Sequence, residues 1–296
     1  MTYVVTGVTG RTGAIAARTL LAAGERVRVV IRNPAHSEGW ARLGAEVAQA
    51  DLTDAQALTR AFSGAQGAYL VSPPGYALED IYRYVERAAN AAALAASAAR
   101  LPKLVLLSSV GADRASGIGV IANNRTMERR LGQLGIPVAF LRAAYFMENW
   151  SGMVDSVRNH GILPSFLAPL DRAIPMVSTL DIGRVAAETL RENWSGARAV
   201  ALEGPEQYSP DDIARAFEQT LGRPVRAMIV EESSWRSVLA QGGRFSEAAL
   251  AGFIEMTRSL NSGHITPDSD TGTAHKAGIV PFSEIAPALL DLRPSA

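Results

Sequence analysis

Residues 3–13 read Tyr3-Val4-Val5-Thr6-Gly7-Val8-Thr9-Gly10-Arg11-Thr12-Gly13, and an alanine-rich helical run follows at once. A short apolar strand therefore enters a turn with glycine at every third position and leaves it as a helix. Gly7 permits a backbone turn that a side chain would block, Gly10 lets the backbone approach a pyrophosphate, and Gly13 lets helix and strand pack closely. The amides from Thr9 to Gly13, Arg11 and Thr12 included, open the helix and would point at the anion, aided by the helix dipole. The pattern predicts a dinucleotide site.

The rest of the first half keeps an alternating rhythm. Apolar, β-branched runs at 27–31, 47–50, 68–71, 104–107 and 138–141 have the length of buried parallel strands. Helical patterns lie between them at 11–23, 54–62, 78–99 and 121–134. Asp51-Leu52-Thr53 offers a helix N-cap, and Gly24 and Gly135 fall where helix C-caps are expected. This βαβα succession predicts an α/β protein with a Rossmann-type doubly wound parallel sheet. After residue 150 the rhythm loosens. Prolines punctuate 164–175, helices are expected after Asp181, from Ser209-Pro210-Asp211-Asp212, and over 236–260 with a break at Gly242-Gly243, and 199–202 reads as one more strand. We expect a dinucleotide-binding domain over 1–150 and a smaller, mostly helical substrate lobe over 151–296, with a soft boundary and some segments returning to the sheet.

Composition narrows the function classes. The 296 residues carry 29 basic and 29 acidic side chains, and no basic run with interleaved aromatics favours nucleic acid. Cysteine is absent, so disulfides and thiol chemistry are excluded, and the four histidines show no metal-ligand spacing. The most apolar helical stretch, 88–99, is too short to span a bilayer, and a core strand at the very start leaves no room for a signal peptide. A cytoplasmic, soluble protein is expected. Only Lys103 and Lys276 are lysines, so chemistry that needs an ammonium group has two candidates.

An NAD site places Asp or Glu at the end of the second strand to hold the ribose 2′-hydroxyl. Here that strand ends Ile31-Arg32-Asn33. Arg32 suits a 2′-phosphate, Arg11 could add a second cation, and the expected cofactor is NADP(H). Asp51-Leu52 falls where an adenine contact would lie, and Ser72-Pro73 where the nicotinamide ribose would lie; each equally reads as turn chemistry.

These residues, with Ser108-Ser109-Val110-Gly111-Ala112-Asp113, Arg142-Ala143-Ala144-Tyr145-Phe146-Met147-Glu148-Asn149 and Asp181-Ile182-Gly183, make the chain resemble the NmrA-like group of atypical short-chain dehydrogenases/reductases. The resemblance implies either NADPH-dependent reduction of a flat conjugated molecule (a quinone, azo compound or natural-product iminium or enone) or non-catalytic NADP(H) sensing through a protein partner; a homodimer is conceivable. Classical members of the wider superfamily use a Tyr-x3-Lys pair, and here no tyrosine is followed by lysine four residues later. Many NmrA-like members keep a lysine four residues before a glutamate; Glu128 matches the glutamate, but Asn124 stands at the lysine position. Asn124 could still bond the nicotinamide ribose or simply face water.

The candidate proton donors are Ser109, Tyr145 and His160. Ser109 follows the fifth strand and would face the nicotinamide, or be a turn serine. Tyr145 follows the sixth strand at the mouth of the cleft, beside the cofactor, or is an interface or core tyrosine. His160 could titrate near neutrality, or be a surface residue. Trp150, Phe166 and Trp235 would surround an aromatic acceptor or form the core of the lobe.

Overall fold

The computed structural model describes residues 2–241, 243–267 and 273–291. Its first half alternates as the sequence implies: β1 (Thr2–Val5), α1 (Arg11–Ala22), β2 (Arg26–Ile31), α2 (Ser37–Arg42), β3 (Glu46–Gln49), α3 (Ala55–Phe62), β4 (Ala65–Val71), α4 (Ile81–Ala98), β5 (Leu104–Ser109), α5 (Ala122–Leu131) and β6 (Val138–Ala143). The second half adds β7 (Tyr145–Phe146), α6 (Val154–His160), β8 (Ile162–Ser165), β9 (Ile174–Val177), α7 (Thr179–Arg191), β10 (Ala197–Glu203), β11 (Gln207–Tyr208), α8 (Pro210–Leu221), β12 (Arg226–Ile229), α9 (Glu232–Ala240), α10 (Glu247–Asn261), β13 (Ala274–Ala277) and α11 (Phe282–Asp291).

Among the described residues the main sheet has eight strands in the order β13-β10-β6-β5-β4-β1-β2-β3, every neighbouring pair parallel. The chain winds outward from β1 through β2 to β3, then returns to β4 and winds the other way. That reversal between β1 and β4 is the switch point at which doubly wound sheets open a crevice. The fold is Rossmann-type α/β.

Alternation along the strands supplies both faces of the sheet. Val5, Val29 and Val105 point to a core shared with α1 and α7, while their neighbours Val4, Val30 and Leu106 point to one shared with α3, α4 and α5. The alanine-rich α4 is an inner helix of this second layer, with Ala88, Ala89, Ala92, Ala95 and Ala96 buried. No helix among the described residues is long and apolar enough to cross a membrane. A third core, built on Trp150, Leu163, Phe217 and Phe282, belongs to the segments beyond β6. Meanwhile α7, β10 and β13, all past residue 150, pack in the layers of the main sheet.

Several local expectations shift by a few residues. Asp54, not the Asp51–Thr53 segment, caps α3 by accepting from the Ala57 amide at 2.9 Å. Helix α5 follows a 3₁₀ turn, Gly119–Ile121, and ends at Gly132, so Gly135 lies in the next turn. Helix α7 starts two residues before Asp181 because the Ser178 hydroxyl accepts from the Leu180 amide at 3.1 Å. The Ser209 start of α8 forms a full capping box with Asp212 and a first-turn proline. Of the expected glycine break, Gly243 falls between α9 and α10 and Gly242 lies outside the described residues. Helix α2 and the short strands β7, β8, β9, β11 and β12 carry no periodic signal that the sequence reading recognised.

Candidate active site

The glycine turn sits at the switch point. Gly7 has a φ of +67°, and a Cβ on it would fall 2.6 Å from a methyl group of Val71 at the end of β4. A Cβ on Gly13 would fall 2.4 Å from the Gly7 carbonyl oxygen, so strand and helix close onto each other here. Gly10 differs: its Cβ would meet only the Gly7 oxygen, at 3.3 Å, and would otherwise stand in open space before the helix. Gly10 is the extended N-cap of α1, and no side chain caps that helix or places an acid in its first turn. The first helical bond runs from the Ala14 amide to the Gly10 carbonyl, which leaves the Arg11, Thr12 and Gly13 amides without a helical acceptor. Thr9, Gly10 and Arg11 are exposed, while Thr12 and Gly13 are buried. The cradle fits a diphosphate. The Arg11 guanidinium reaches across to the Glu148 carbonyl at 3.4 Å.

A second group gathers beyond β2 and β3. Arg32 is exposed, and its guanidinium acts on the Asp51 carboxyl and on the Tyr84 phenol. Asp51 accepts from the Thr53 amide at 2.9 Å and the Thr53 hydroxyl at 2.7 Å. Burial works to raise the Asp51 pKa, but these bonds and the charges of Arg32 and Arg87 outweigh it and hold the carboxyl below its ordinary value. Arg87 lies 5.9 Å from the Tyr84 ring centre. Tyr84 and Arg87 carry no motif in the sequence, although positions three apart on α4 share a face. Leu52 packs against the core between the sheet and α3–α4.

A cavity of about 690 Å³ opens over the carboxyl ends of β4, β5 and β6. Ser72, Ser109, Asn124 and Tyr145 all line it; Pro73 is buried and does not. The Ser109 hydroxyl donates to the Val110 carbonyl at 3.0 Å, and the Asn124 amide reaches the Leu107 carbonyl at 3.5 Å. Burial pushes the Tyr145 phenol up to about 12, against a smaller lowering by a hydrogen bond with Asn149, itself on the wall. His160 does not belong to this group: it is exposed at the C-terminal end of α6, where Gly161 turns the chain, and does not line the cavity. Trp150 is buried in the third core, and Phe166 pairs with Trp235, whose indole nitrogen donates to the Val230 carbonyl at 2.7 Å; none of the three lines the cavity. The aromatic wall comes instead from Tyr76, Tyr145, Phe146 and Phe253. Tyr76 and Phe253 meet edge-on at 5.0 Å, with Phe245 behind them.

Neither lysine lines the cavity. Both converge on Glu192: Lys103 donates to its carbonyl at 2.5 Å, and Lys276 pairs with its carboxylate. Beneath the cavity, Glu128 takes two bonds from Arg142, at 3.0 and 2.8 Å, and one from the Ser108 hydroxyl at 2.6 Å. This buried strut ties β5, α5 and β6 together below Ser109 and Asn124. The carboxylate of Glu148 accepts from the Thr179 amide at 2.9 and 3.0 Å and from the Thr179 hydroxyl at 2.5 Å, and so holds the start of α7. Asp181 accepts from the Ile279 and Val280 amides at 2.9 Å each and pairs with Arg184 at 2.8 Å, fastening the segment after β13. Glu148 and Asp181 are therefore scaffold, and Asn149 is the neighbour that reaches the cavity. Among the described residues no three His, Cys, Asp or Glu side chains converge as a metal site requires.

The model of the NmrA-like family matches residues 1–275. The chain belongs to the NmrA-like family. Among proteins of assigned activity, this NmrA-like chain is 30% identical over 223 residues to (4-alkanoyl-5-oxo-2,5-dihydrofuran-3-yl)methyl phosphate reductase of Streptomyces griseus subsp. griseus, covering 75% of this chain and 74% of that one. It is 24% identical over 242 residues to quinone oxidoreductase 2 of Escherichia coli, covering 81% of each chain. The solved structure of Citrobacter sp. triphenylmethane reductase complexed with NADP(H) superposes with a TM-score of 0.80 at 20% identity, covering 98% of this chain and all of that one.

Proposed function

We propose that this NmrA-like protein is an NADPH-dependent oxidoreductase acting on a conjugated small molecule. The observation that carries the reading is one juxtaposition: an exposed helix N-terminus without a cap, opened by Gly10, beside a cavity walled by aromatic and aliphatic side chains at the switch point. The activities named for the Streptomyces, E. coli and Citrobacter relatives support it.

The amides of Arg11, Thr12 and Gly13 would hold the diphosphate and Arg32 the 2′-phosphate, with Asp51 and the Tyr84–Arg87 pair around the adenine end. Ser72, Ser109 and Asn124 would bracket the nicotinamide ribose. The bound reduced nicotinamide supplies a hydride. The chain's own part is to sandwich a flat acceptor among Tyr76, Phe146 and Phe253, and to exclude bulk water. Tyr145, kept protonated by burial and oriented by Asn149, offers its hydroxyl to an acceptor oxygen where negative charge develops. Neither lysine nor histidine lines the wall, so the proton that completes the reduction would come from water or from a hydroxyl of the wall such as Ser109 or Tyr145.

Asn124 in place of a lysine favours a second reading, in which NADP(H) occupancy is sensed and passed to a protein partner. One experiment separates the two. The protein is mixed with NADPH and a panel of quinones, azo dyes and cyclic iminiums, and the loss of reduced-nicotinamide absorbance is followed. Turnover that disappears in Gly10→Val is expected; firm NADPH binding with no turnover on any acceptor selects the sensor.

A further inference from the structure

Two side chains of the charged types lie on the cavity wall, Arg172 and Glu203. Arg172 lies between β8 and β9, on the side of the cavity built from the lobe and α10, away from the glycine turn. It is half-buried. One of its terminal nitrogens donates to the Leu260 carbonyl at 2.9 Å and the other to the Asn261 carbonyl. The Asn261 side chain completes this clip, accepting from the Ala168 amide at 3.0 Å and donating to the Phe166 carbonyl at 2.9 Å.

Both acceptors of the guanidinium are neutral carbonyls at the end of α10, which lend it the partial negative charge of a helix C-terminus but no counter-ion. Among the described residues no carboxylate forms an ion pair with Arg172. A guanidinium has five N–H donors, so three remain after the two carbonyl bonds. Its neighbours on the wall include Ile174, Pro175 and Leu260, and apolar surroundings strengthen the pull of a charge on an entering partner. Glu203 ends β10 and makes no ion pair with Arg172.

We infer that Arg172 is a specificity-determining residue that receives an oxyanion substituent (carboxylate, sulfonate or phosphate) carried by the conjugated acceptor. The inference rests on the reading of this cavity as the acceptor site. It adds a charged anchor at the lobe end of a cavity whose other end faces the cofactor cradle, and so fixes which end of an asymmetric acceptor points inward.

The test uses redox-inert probes of matched shape, so it does not depend on turnover. Binding of naphthalene-2-sulfonate, naphthalene-2-sulfonamide and 2-(aminomethyl)naphthalene to the full chain is measured by calorimetry, with and without NADP⁺. The sulfonate is expected to bind at least about tenfold more tightly than the sulfonamide, with an advantage that shrinks as salt rises. Arg172→Gln should cost the sulfonate far more than the sulfonamide, and Arg172→Lys should keep part of the preference. Asn261→Ala loosens the same clip but leaves the charge, and should keep the preference, which covers the case in which Arg172→Gln fails to fold. Equal affinities in the unaltered protein, tighter binding of the ammonium probe, or equal loss of sulfonate and sulfonamide in Arg172→Gln would each overturn the inference. Absence of NADPH turnover would overturn the proposed reaction and leave this comparison standing.

Discussion

A carboxylate at the end of β2 would accept from a ribose hydroxyl; the guanidinium of Arg32 can only donate, and it stands exposed where a phosphate would meet it. Arg32→Ala is therefore expected to lower NADPH affinity by about 10- to 100-fold while leaving NADH nearly untouched. Titration with both nucleotides checks this, and equal affinities in the unaltered protein would sink the assignment. Tyr145 makes a different kind of prediction. Its folded pKa of about 12 lies above the ordinary phenol value, so the folded state keeps a proton that the unfolded chain loses above pH 10. Its contribution to stability is whole below pH 10 and is lost as pH rises towards 12, and the pH profile of turnover should show no phenol ionisation between 6 and 10. Tyr145→Phe should reduce kcat by about tenfold or more through the lost hydrogen bond, with NADPH still bound. The positions of Gly7, Arg32 and Tyr145 were legible because each stands at a strand end, where an apolar run in the sequence marks its place. Tyr84, Arg87 and Arg172 were not, because packing alone decides which helix face or loop turns toward the cleft. His160 misled for a related reason: it resembles a loop base, but the α6 turn it ends directs it to solvent.

Helices α1 and α7 cover the same face of the sheet and cross where α7 has no room for a side chain beside Ile15 of α1. A Cβ on Gly183 would fall 2.5 Å from the Ile15 Cβ and 2.8 Å from the Thr12 carbonyl oxygen. Gly183→Val must push α7 off the helix that carries the phosphate cradle. We expect a loss of about 1–3 kcal/mol or more in urea unfolding, together with weaker NADPH binding; an unchanged midpoint would show that the two helices are not in contact. This explains what Asp181-Ile182-Gly183 does: one residue fastens the segment after β13, one packs in the core, and one allows the crossing. Elements such as β1, β2, β4 and α1 were readable because each buries its own apolar run. The short strands outside the main sheet were not, since β7 is defined by pairing with β9, and β8 by pairing with β12 more than 60 residues later. Such strands exist only once tertiary structure brings their partners together.

At the scale of the molecule, the cavity joins parts that the linear order separates. Its floor is the ends of β4–β6, one wall is the turn around Tyr145–Asn149, and another is α10 with Tyr76 packed on Phe253. The glycine turn adjoins it only because the sheet reverses between β1 and β4, so a ligand filling turn and cavity would brace both windings and the segments beyond β6 at once. Binding to the folded chain alone stabilises it by about 2.7 kcal/mol at a hundredfold excess over Kd, which should raise the thermal midpoint by several degrees for a chain of this size. NADPH should raise it more than NADH at equal concentration. Gly10→Val isolates the cause. A Cβ at this position meets only the Gly7 carbonyl, at 3.3 Å, and Gly10 is the N-cap of α1, so the variant without nucleotide should unfold within a few degrees of the unaltered protein. Its NADPH-induced rise should vanish. A rise that survives Gly10→Val would place the nucleotide away from the glycine turn and remove the basis for reading the adjoining cavity as an acceptor site.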